Sequence, residues 1–164
     1  QCTRRRLMKV SLKTEQILKS WCIENLPKVV PLDVYNPTIK QFKQDRQDGN
    51  CFVFKNGSHN SMFTRRDTIW YYRAWHDTIH LLNNLDLSEK SEYLVARLQG
   101  KAALALGISK RDALLLELDI ILHIKHYHKY KEHPEYQENM IEDYLLFSCF
   151  GYDTLAINYG IDYE

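Results

Sequence analysis

The segment that most restricts the fold is the apolar run at residues 112–124, "DALLLELDIILHI". Apolar residues fall on almost every face of a helix built from this run, so the helix should be largely buried. Ser109 is placed to cap its start, and the helical pattern continues to about Tyr130. We therefore expect a buried helix over residues 110–130.

Several other segments show helical patterns. The spacing of apolar residues predicts helices at 14–26, 64–83 and 89–106, and Pro134 is placed to begin another that reaches residue 150. Three prolines between residues 27 and 37 indicate an extended connection. The predicted fold class is mainly α: a single-domain bundle of about five helices with a short β-hairpin or extended N-terminal segment. The hairpin would lie at residues 50–60, with its turn at Asn56-Gly57.

The chain length and composition fit one globular domain. Its 164 residues are 45% hydrophobic and 26% charged, and we assign residues 1–164 to a single helical domain. Residues 1–10 are predicted to be a flexible tail; the alternative for the basic run Arg4-Arg5-Arg6 is sequence upstream of a start at Met8.

Charge and cysteine content limit the expected partners and location. A net charge of +1, from 22 basic and 21 acidic residues, gives no reason to expect nucleic acid as a partner. No apolar stretch of about 18 residues is present, so no transmembrane segment or secretory signal is expected. The four cysteines are scattered and form no Cys-x-x-Cys pair. These features favour a cytoplasmic location, with peripheral attachment to a membrane as an alternative. Assembly into a homo-oligomer also stays open.

The stretch "AWHDTIHLL" at residues 74–82 predicts a metal site. His76 and His80 are four residues apart on a helix, so they share a face, and Asp77 flanks it. A short connection makes the next helix an antiparallel neighbour, which can return Glu92 to the level of His80. Imidazoles and carboxylates suit zinc, or iron or manganese. The spacing alone is equally compatible with a polar stripe on the helix surface that binds no metal.

A family resemblance supports the metal site. "HDTIH", followed by eleven residues and Glu92, resembles the His-Asp-x-x-His-(eleven)-Glu signature of the coenzyme Q biosynthesis protein four family, within residues 73–99. The resemblance implies that His76, Asp77, His80 and Glu92 bind zinc in a helical protein. It also implies a prenylated, quinone-like lipid as ligand and oxidative decarboxylation of its aromatic ring. Whether the chain is an enzyme stays open.

Polar residues within the apolar helix are candidates for the surroundings of the metal. Buried carboxylates need partners because an unpaired buried charge is costly. Asp119 and His123 share a face and are expected to contact the metal ligands or to hold a second metal. Arg73 and Glu117 are also candidates for the ligands' surroundings, although a salt bridge from Glu117 to Arg73 or Arg97 is slightly favoured.

The end of that helix carries a different group of histidines. His126 and His128 are two residues apart and cannot share a face. Lysines surround them, which is typical of a solvated helix end. We expect neither histidine to bind the metal.

Two other functions are alternatives to the hypothesis that the protein binds a quinone-like ligand. An HD-type metal-dependent phosphohydrolase would use His59, then His76-Asp77, then Asp119. A non-catalytic binding or assembly module would hold a closed, structural metal. The lining of the site distinguishes these functions: an apolar cleft favours an aromatic or lipid-like ligand, a basic cleft favours phosphate, and no cleft favours a structural metal. The aromatic residues before the motif favour the apolar cleft: Phe63, Trp70, Tyr71, Tyr72 and Trp75.

Overall fold

The computed structural model describes residues 9–56 and 62–131. Within these residues the chain forms five helices and two short strands. In chain order they are α1 (Leu12–Asn25), β1 (Val29–Leu32), α2 (Ile39–Gln47), β2 (Cys51–Phe54), α3 (Thr68–Leu82), α4 (Glu89–Ala105) and α5 (Lys110–Tyr130). The mainly α fold class predicted from the sequence is confirmed.

Helix α5 forms the centre of the packing. Ser109 caps it by accepting a hydrogen bond from the Asp112 N–H, and the helix is buried from Asp112 through Asp119. Helix α4 packs along it. The α4 residues Ala96, Gly100 and Ala103 are buried and share one helix face, and side chains this small permit close approach of a neighbouring helix. The burial predicted for the apolar run is confirmed.

The two strands pair in parallel, which corrects one detail of the sequence analysis. Val29 is opposite Cys51 and Leu32 is opposite Phe54. The strand predicted at residues 50–60 exists, but its partner is the proline-containing segment that was expected to be a simple connection. Parallel strands need a crossover, so a tight hairpin at Asn56-Gly57 cannot make this pair. Gly57 itself lies outside the described residues.

Helix α2 provides the crossover and was missed by the sequence analysis. Thr38 caps it by accepting a hydrogen bond from the Gln41 N–H. Phe42 is buried, and Arg46, one turn later, donates to Thr78 Oγ1 at 3.0 Å. The prolines that suggested an extended chain all precede the helix, so they do not interrupt it.

Helix α3 lies between the other layers, and its C-terminal turn sets the direction of α4. Helix α1 and the sheet pack on α3, and α4 contacts it as well. Asn84 adopts a left-handed conformation with φ of 51°, and the Leu85 N–H donates to the His80 carbonyl at 2.9 Å. This geometry ends the helix in a compact turn, after which Ser88 caps α4. Glu92, in the first turn of α4, is thereby brought back toward α3.

Some sequence predictions fall at the edges of the described residues or outside them. Val10 is buried, and its N–H donates to the Met62 carbonyl at 3.1 Å, so the tail predicted for residues 1–10 reaches too far. The helix predicted after Pro134 and the candidate ligand His59 lie outside the described residues. None of the described helices is long and apolar enough to cross a membrane.

Candidate metal centre and adjoining cleft

Three of the predicted ligands meet where α3 faces the start of α4. His76 Nε2 lies 3.2 Å from Glu92 Oε2, and His80 Nε2 lies 3.1 Å from Glu92 Oε1. The two imidazole Nε2 atoms are 3.2 Å apart. The His80 side chain is fully buried, whereas the side chains of His76 and Glu92 keep 12% and 24% of their surface exposed. One side of the cluster is therefore sealed and the other is open.

The surrounding hydrogen bonds set the tautomers of both histidines. His80 Nδ1 lies 2.9 Å from the Asp86 carbonyl oxygen, which can only accept, so Nδ1 donates. Gln99 Nε2 lies 2.7 Å from the Leu116 carbonyl oxygen, so the amide nitrogen must face that way and Gln99 Oε1 must face His76. His76 Nδ1, at 2.9 Å, therefore donates to Gln99. A neutral imidazole that donates from Nδ1 carries its lone pair on Nε2.

In their neutral forms both histidines direct lone pairs from Nε2 toward the Glu92 carboxylate, so the cluster needs a proton or a metal ion among these atoms. Zinc held tetrahedrally at about 2.0–2.1 Å from its ligands separates neighbouring donor atoms by about 3.3 Å. The separations of 3.1–3.2 Å found here are close to that value. Anchoring of the outer imidazole nitrogen to a carbonyl oxygen is also typical of histidines that bind metals.

Without a metal, protons would supply the positive charge. Burial lowers the pKa of His76, but its hydrogen bond to Glu92 and the charge of that carboxylate outweigh burial and raise the pKa to about 9. Burial raises the pKa of Glu92, but its hydrogen bonds to His76 and His80 dominate and lower it to about 2. Glu92 is therefore ionised at neutral pH, and a metal would displace a proton from His76.

Asp77 is not part of the three-residue cluster. Successive residues on a helix are about 100° apart, so Asp77 turns away from the face shared by His76 and His80. Its side chain lines a separate cavity of about 180 Å³ together with Tyr35 and Arg73. Burial raises the pKa of Asp77, while the charges of His76 and Arg46 lower it. In this arrangement Asp77 acts on the cluster through its charge and does not complete the donor set.

A cleft of about 470 Å³ opens beside the cluster. His76 and Glu92 form part of its wall, so the exposed side of the cluster faces this space. Apolar and aromatic side chains from α3, α5 and the connection before α4 make up much of the remainder: Ile69, Tyr72, Leu87, Ile120, Ile124 and Tyr127. The volume and lining suit a small, largely apolar molecule.

A chain of buried polar groups connects His76 to the far wall of the cleft. Gln99, which accepts from His76, donates through Nε2 to the Tyr72 hydroxyl at 2.8 Å. The Tyr72 hydroxyl lies 3.1 Å from Asp119 Oδ2 and 3.2 Å from the Leu116 carbonyl oxygen, so its proton has two acceptors. Gln99 is fully buried, and Tyr72 and Asp119 are 3% and 2% exposed. The network positions His76 and reaches the cleft at Asp119.

Asp119 is only partly satisfied by this network. In the part of the chain that the structure describes, its Oδ1 atom is buried and has no hydrogen-bond partner. Burial raises the pKa of Asp119 to about 6, against the opposing effects of the Tyr72 hydrogen bond and the nearby His76 and Arg73. A carboxyl group with a spare acceptor therefore forms part of the cleft wall.

The other residues expected around the metal ligands have separate positions. Arg73 also lines the cleft, but its Nη1 donates to the carbonyl oxygens of Phe54 and Asn56, and burial lowers its pKa. His123 lines the cleft on α5, one turn after Asp119. Glu117 is buried on the same helix.

The histidines at the end of α5 are arranged differently. His126 packs against the Tyr130 ring, with 4.7 Å between ring centroids. His128 is 70% exposed, and its Nδ1 is 3.7 Å from Glu89 Oε2. Neither belongs to a metal-binding group among the described residues.

The sequence analysis did not identify Gln99 or the hydroxyl of Tyr72 as parts of the site. A signal for each was present in the helical spacing. Gln99 follows Glu92 by seven residues, two turns along the same face of α4, and Tyr72 precedes His76 by four residues on α3. Both would have been found by extending the face of a predicted ligand by one or two turns.

Comparison of the chain with protein-family models, curated proteins and solved structures gives no match.

Proposed function

We propose that this protein binds a divalent metal, zinc being the best fit, through His76, His80 and Glu92, and presents it to an aromatic or lipid-like molecule in the adjoining cleft. The observation that carries the proposal is the convergence of two imidazole Nε2 atoms, each with its Nδ1 fixed by a carbonyl oxygen, on one carboxylate. The resemblance to the coenzyme Q biosynthesis protein four family supports the same metal and the same kind of ligand.

The cleft favours this function over a purely structural metal. Structural zinc sites usually have four protein ligands, whereas sites that act on a small molecule keep a position open. Three side chains form the cluster in the described residues, and two of them border the cleft. A bound ion would then have an open coordination position on the cleft side.

The same lining gives little support to phosphate chemistry. A phosphohydrolase needs cationic side chains directed at the phosphate oxygens. Arg73, the arginine that lines the cleft, already donates to two main-chain carbonyl oxygens, and several apolar side chains line the same cleft. An apolar ligand would bury these side chains at a gain of about 25 cal/mol per Å².

Metal content of purified variants tests the first half of the proposal. His76→Ala and His80→Ala should each lose most of the bound metal, measured by plasma mass spectrometry. The melting temperature should fall in parallel because the metal links α3 to α4. His126→Ala is the matched control, since it removes an imidazole from another helix and should leave metal content unchanged. Wild-type metal content in both site variants would refute the metal site.

Binding of naphthalene, an uncharged aromatic probe with intrinsic fluorescence, tests the second half. Ile124→Trp should weaken binding at least severalfold because the larger side chain fills the cleft. Ile23→Trp, at an exposed position on α1, is the control. Tight binding of inorganic phosphate by the metal-loaded protein, with no binding of naphthalene, would favour the phosphohydrolase instead.

A further inference from the structure

We propose that Asp119 is the residue that recognises a hydrogen-bond donor on the ligand, and that the ligand is therefore an apolar molecule carrying an uncharged hydroxyl group. This inference rests on the proposed function of the cleft and specifies its ligand more closely. It comes from the position of Asp119 in the cleft wall and from the unequal use of its two carboxylate oxygens.

The two oxygens of Asp119 have different surroundings. Oδ2 lies 3.1 Å from the Tyr72 hydroxyl, which holds the side chain in place. Oδ1 is buried without a hydrogen-bond partner in the described part of the chain. Buried polar atoms in native proteins are nearly always paired, because leaving one unpaired is costly. A partner that enters the cleft from outside would relieve this cost.

The geometry allows a ligand to serve as that partner. Asp119 is 2% exposed yet contributes to the lining of the 470 Å³ cleft. The terminal torsion of an aspartate side chain is soft, so a small rotation of the carboxyl group can move Oδ1 toward the cleft and shift Oδ2 only slightly from Tyr72. Ile120 and Ile124 flank this point on the same helix, so the rest of the ligand would meet apolar surface.

The charges around the cleft decide which kind of donor fits. The Arg73 guanidinium lines the cleft and lowers the pKa of Asp119 from nearby, and a metal held by His76 and Glu92 would add further positive charge. These charges oppose the attraction that an ammonium or guanidinium group would feel from the lining carboxylates Asp119, Glu89 and Glu92, and the apolar side chains beside Asp119 make burial of a charged group costly. A neutral hydroxyl avoids that cost and still donates to the carboxylate. The preferred ligand therefore combines an apolar body with a hydroxyl group.

A matched pair of probes isolates this hydrogen bond. Naphthylmethanol and its methyl ether have similar apolar bodies, but only the alcohol has a hydroxyl proton to donate. Dissociation constants can be measured from the naphthalene fluorescence with the metal-loaded protein. We expect the wild type to bind the alcohol about tenfold more tightly than the ether, as a hydrogen bond to a charged acceptor permits.

Three substitutions on α5 separate recognition from folding. Asp119→Leu should abolish the tenfold preference, because it should weaken binding of the alcohol and leave binding of the ether unchanged. Asp119→Asn keeps an acceptor oxygen and should keep a preference for the alcohol, which protects the test if the leucine variant folds poorly. Ile120→Val, beside Asp119 in the cleft, should weaken the binding of both probes equally and leave the ratio of their dissociation constants unchanged. Circular dichroism establishes that each variant is folded.

The outcomes distinguish failure of this inference from failure of the proposed function. Equal binding of both probes by the wild type would overturn the role of Asp119 and leave the apolar cleft in place. An undiminished preference in folded Asp119→Leu would do the same. Binding of neither probe by the wild type would overturn the proposed ligand class and, with it, this inference.

Discussion

Two regions of the molecule bury carboxylates, and they treat them differently. On α1, Glu15 accepts from the N–H groups of Thr64 and Arg65 and from the Thr68 hydroxyl, at 2.7–3.1 Å. At the candidate site, Glu92 faces two imidazoles, and Asp119 has a buried oxygen without a hydrogen-bond partner in the described residues. Glu15 is satisfied by donors of the fold itself, whereas Glu92 requires a proton or metal and Asp119 can accept a further donor.

A second acidic residue of the α1 region shows the same completeness. Asp112, at the start of α5, accepts from the Ser11 N–H at 2.9 Å and from the Thr14 hydroxyl at 2.6 Å through one oxygen. Its other oxygen contacts Arg111 at 2.7 Å. Asp112 thus ties the start of α1 to the start of α5, seven residues before Asp119. A buried acid is evidence of a ligand site only when its oxygens are not all satisfied by the protein.

The largest expected effect tests the structural side of this comparison. Glu15→Ala should lower the free energy of unfolding by about 4 kcal/mol, because two main-chain N–H groups and a hydroxyl lose a charged acceptor. Urea denaturation measures the loss. Glu24→Ala, at an exposed position on the same helix, should change stability by less than about 0.5 kcal/mol. A Glu15→Ala protein with wild-type stability would mean that burial alone does not identify a structural acid here.

The next effect concerns pH and Asp119. Its pKa is raised from the ordinary value of 3.8 to about 6 in the folded protein, so the folded state holds the proton more tightly than the unfolded state. The resulting stability is present below about pH 4 and is lost as the pH rises through about 6. Relative to Asp119→Asn, which has no proton to lose, the metal-free wild type should lose about 2–3 kcal/mol over this range. Urea denaturation at several pH values measures the free energy of unfolding of both proteins. If this free energy changes with pH in the same way for the wild type and Asp119→Asn, the prediction is contradicted.

A smaller effect tests the positioning of the proposed metal ligands. Gln99→Leu removes the acceptor that orients His76 and should weaken metal binding about tenfold, as loss of an outer partner commonly does. Competition with a chelator gives the dissociation constant. Lys101→Leu, at an exposed position on the same helix, is the control. If Gln99→Leu and the wild type bind metal equally, the hydrogen bond between His76 and Gln99 does not tune the site.

The smallest effect defines the edge of the site. His128 is 70% exposed and lies 3.7 Å from Glu89, a geometry that contributes little in water. His128→Ala should change stability by less than about 0.5 kcal/mol and leave metal content unaltered. Thermal unfolding and metal analysis measure both quantities. A loss of metal in this variant would show that the site extends to the end of α5.

Local patterns in the sequence predicted much of the helical framework. The run at residues 112–124 is apolar on nearly every side, so burial was its only stable solution, and α5 is the buried helix. The spacing of His76 and His80 puts both on one face of α3. The short turn after α3, which contains the left-handed Asn84 and the Ser88 cap of α4, then brings Glu92 back toward His80.

Other features depended on contacts between segments far apart in the sequence. The parallel pairing of β1 with β2 is not encoded in either strand's pattern, and it required α2 as a crossover. The relay from His76 through Gln99 and Tyr72 to Asp119 joins three helices, so no single helix pattern could reveal it. Asp77 shows the reverse: the motif suggested a ligand, but the helical turn directs its side chain to another cavity.

The sequence by itself determined which segments are helical and which residues share a helix face, because these follow from interactions within a few residues. The tertiary structure decided which buried acidic residues have all their oxygens satisfied by donors of the fold and which do not. Glu15 and Asp119 are similarly buried acids in helices, and their donors come from residues 47–53 positions away in the sequence. Only the packing of α1, α3 and α5 sets the number of donors that each acid meets.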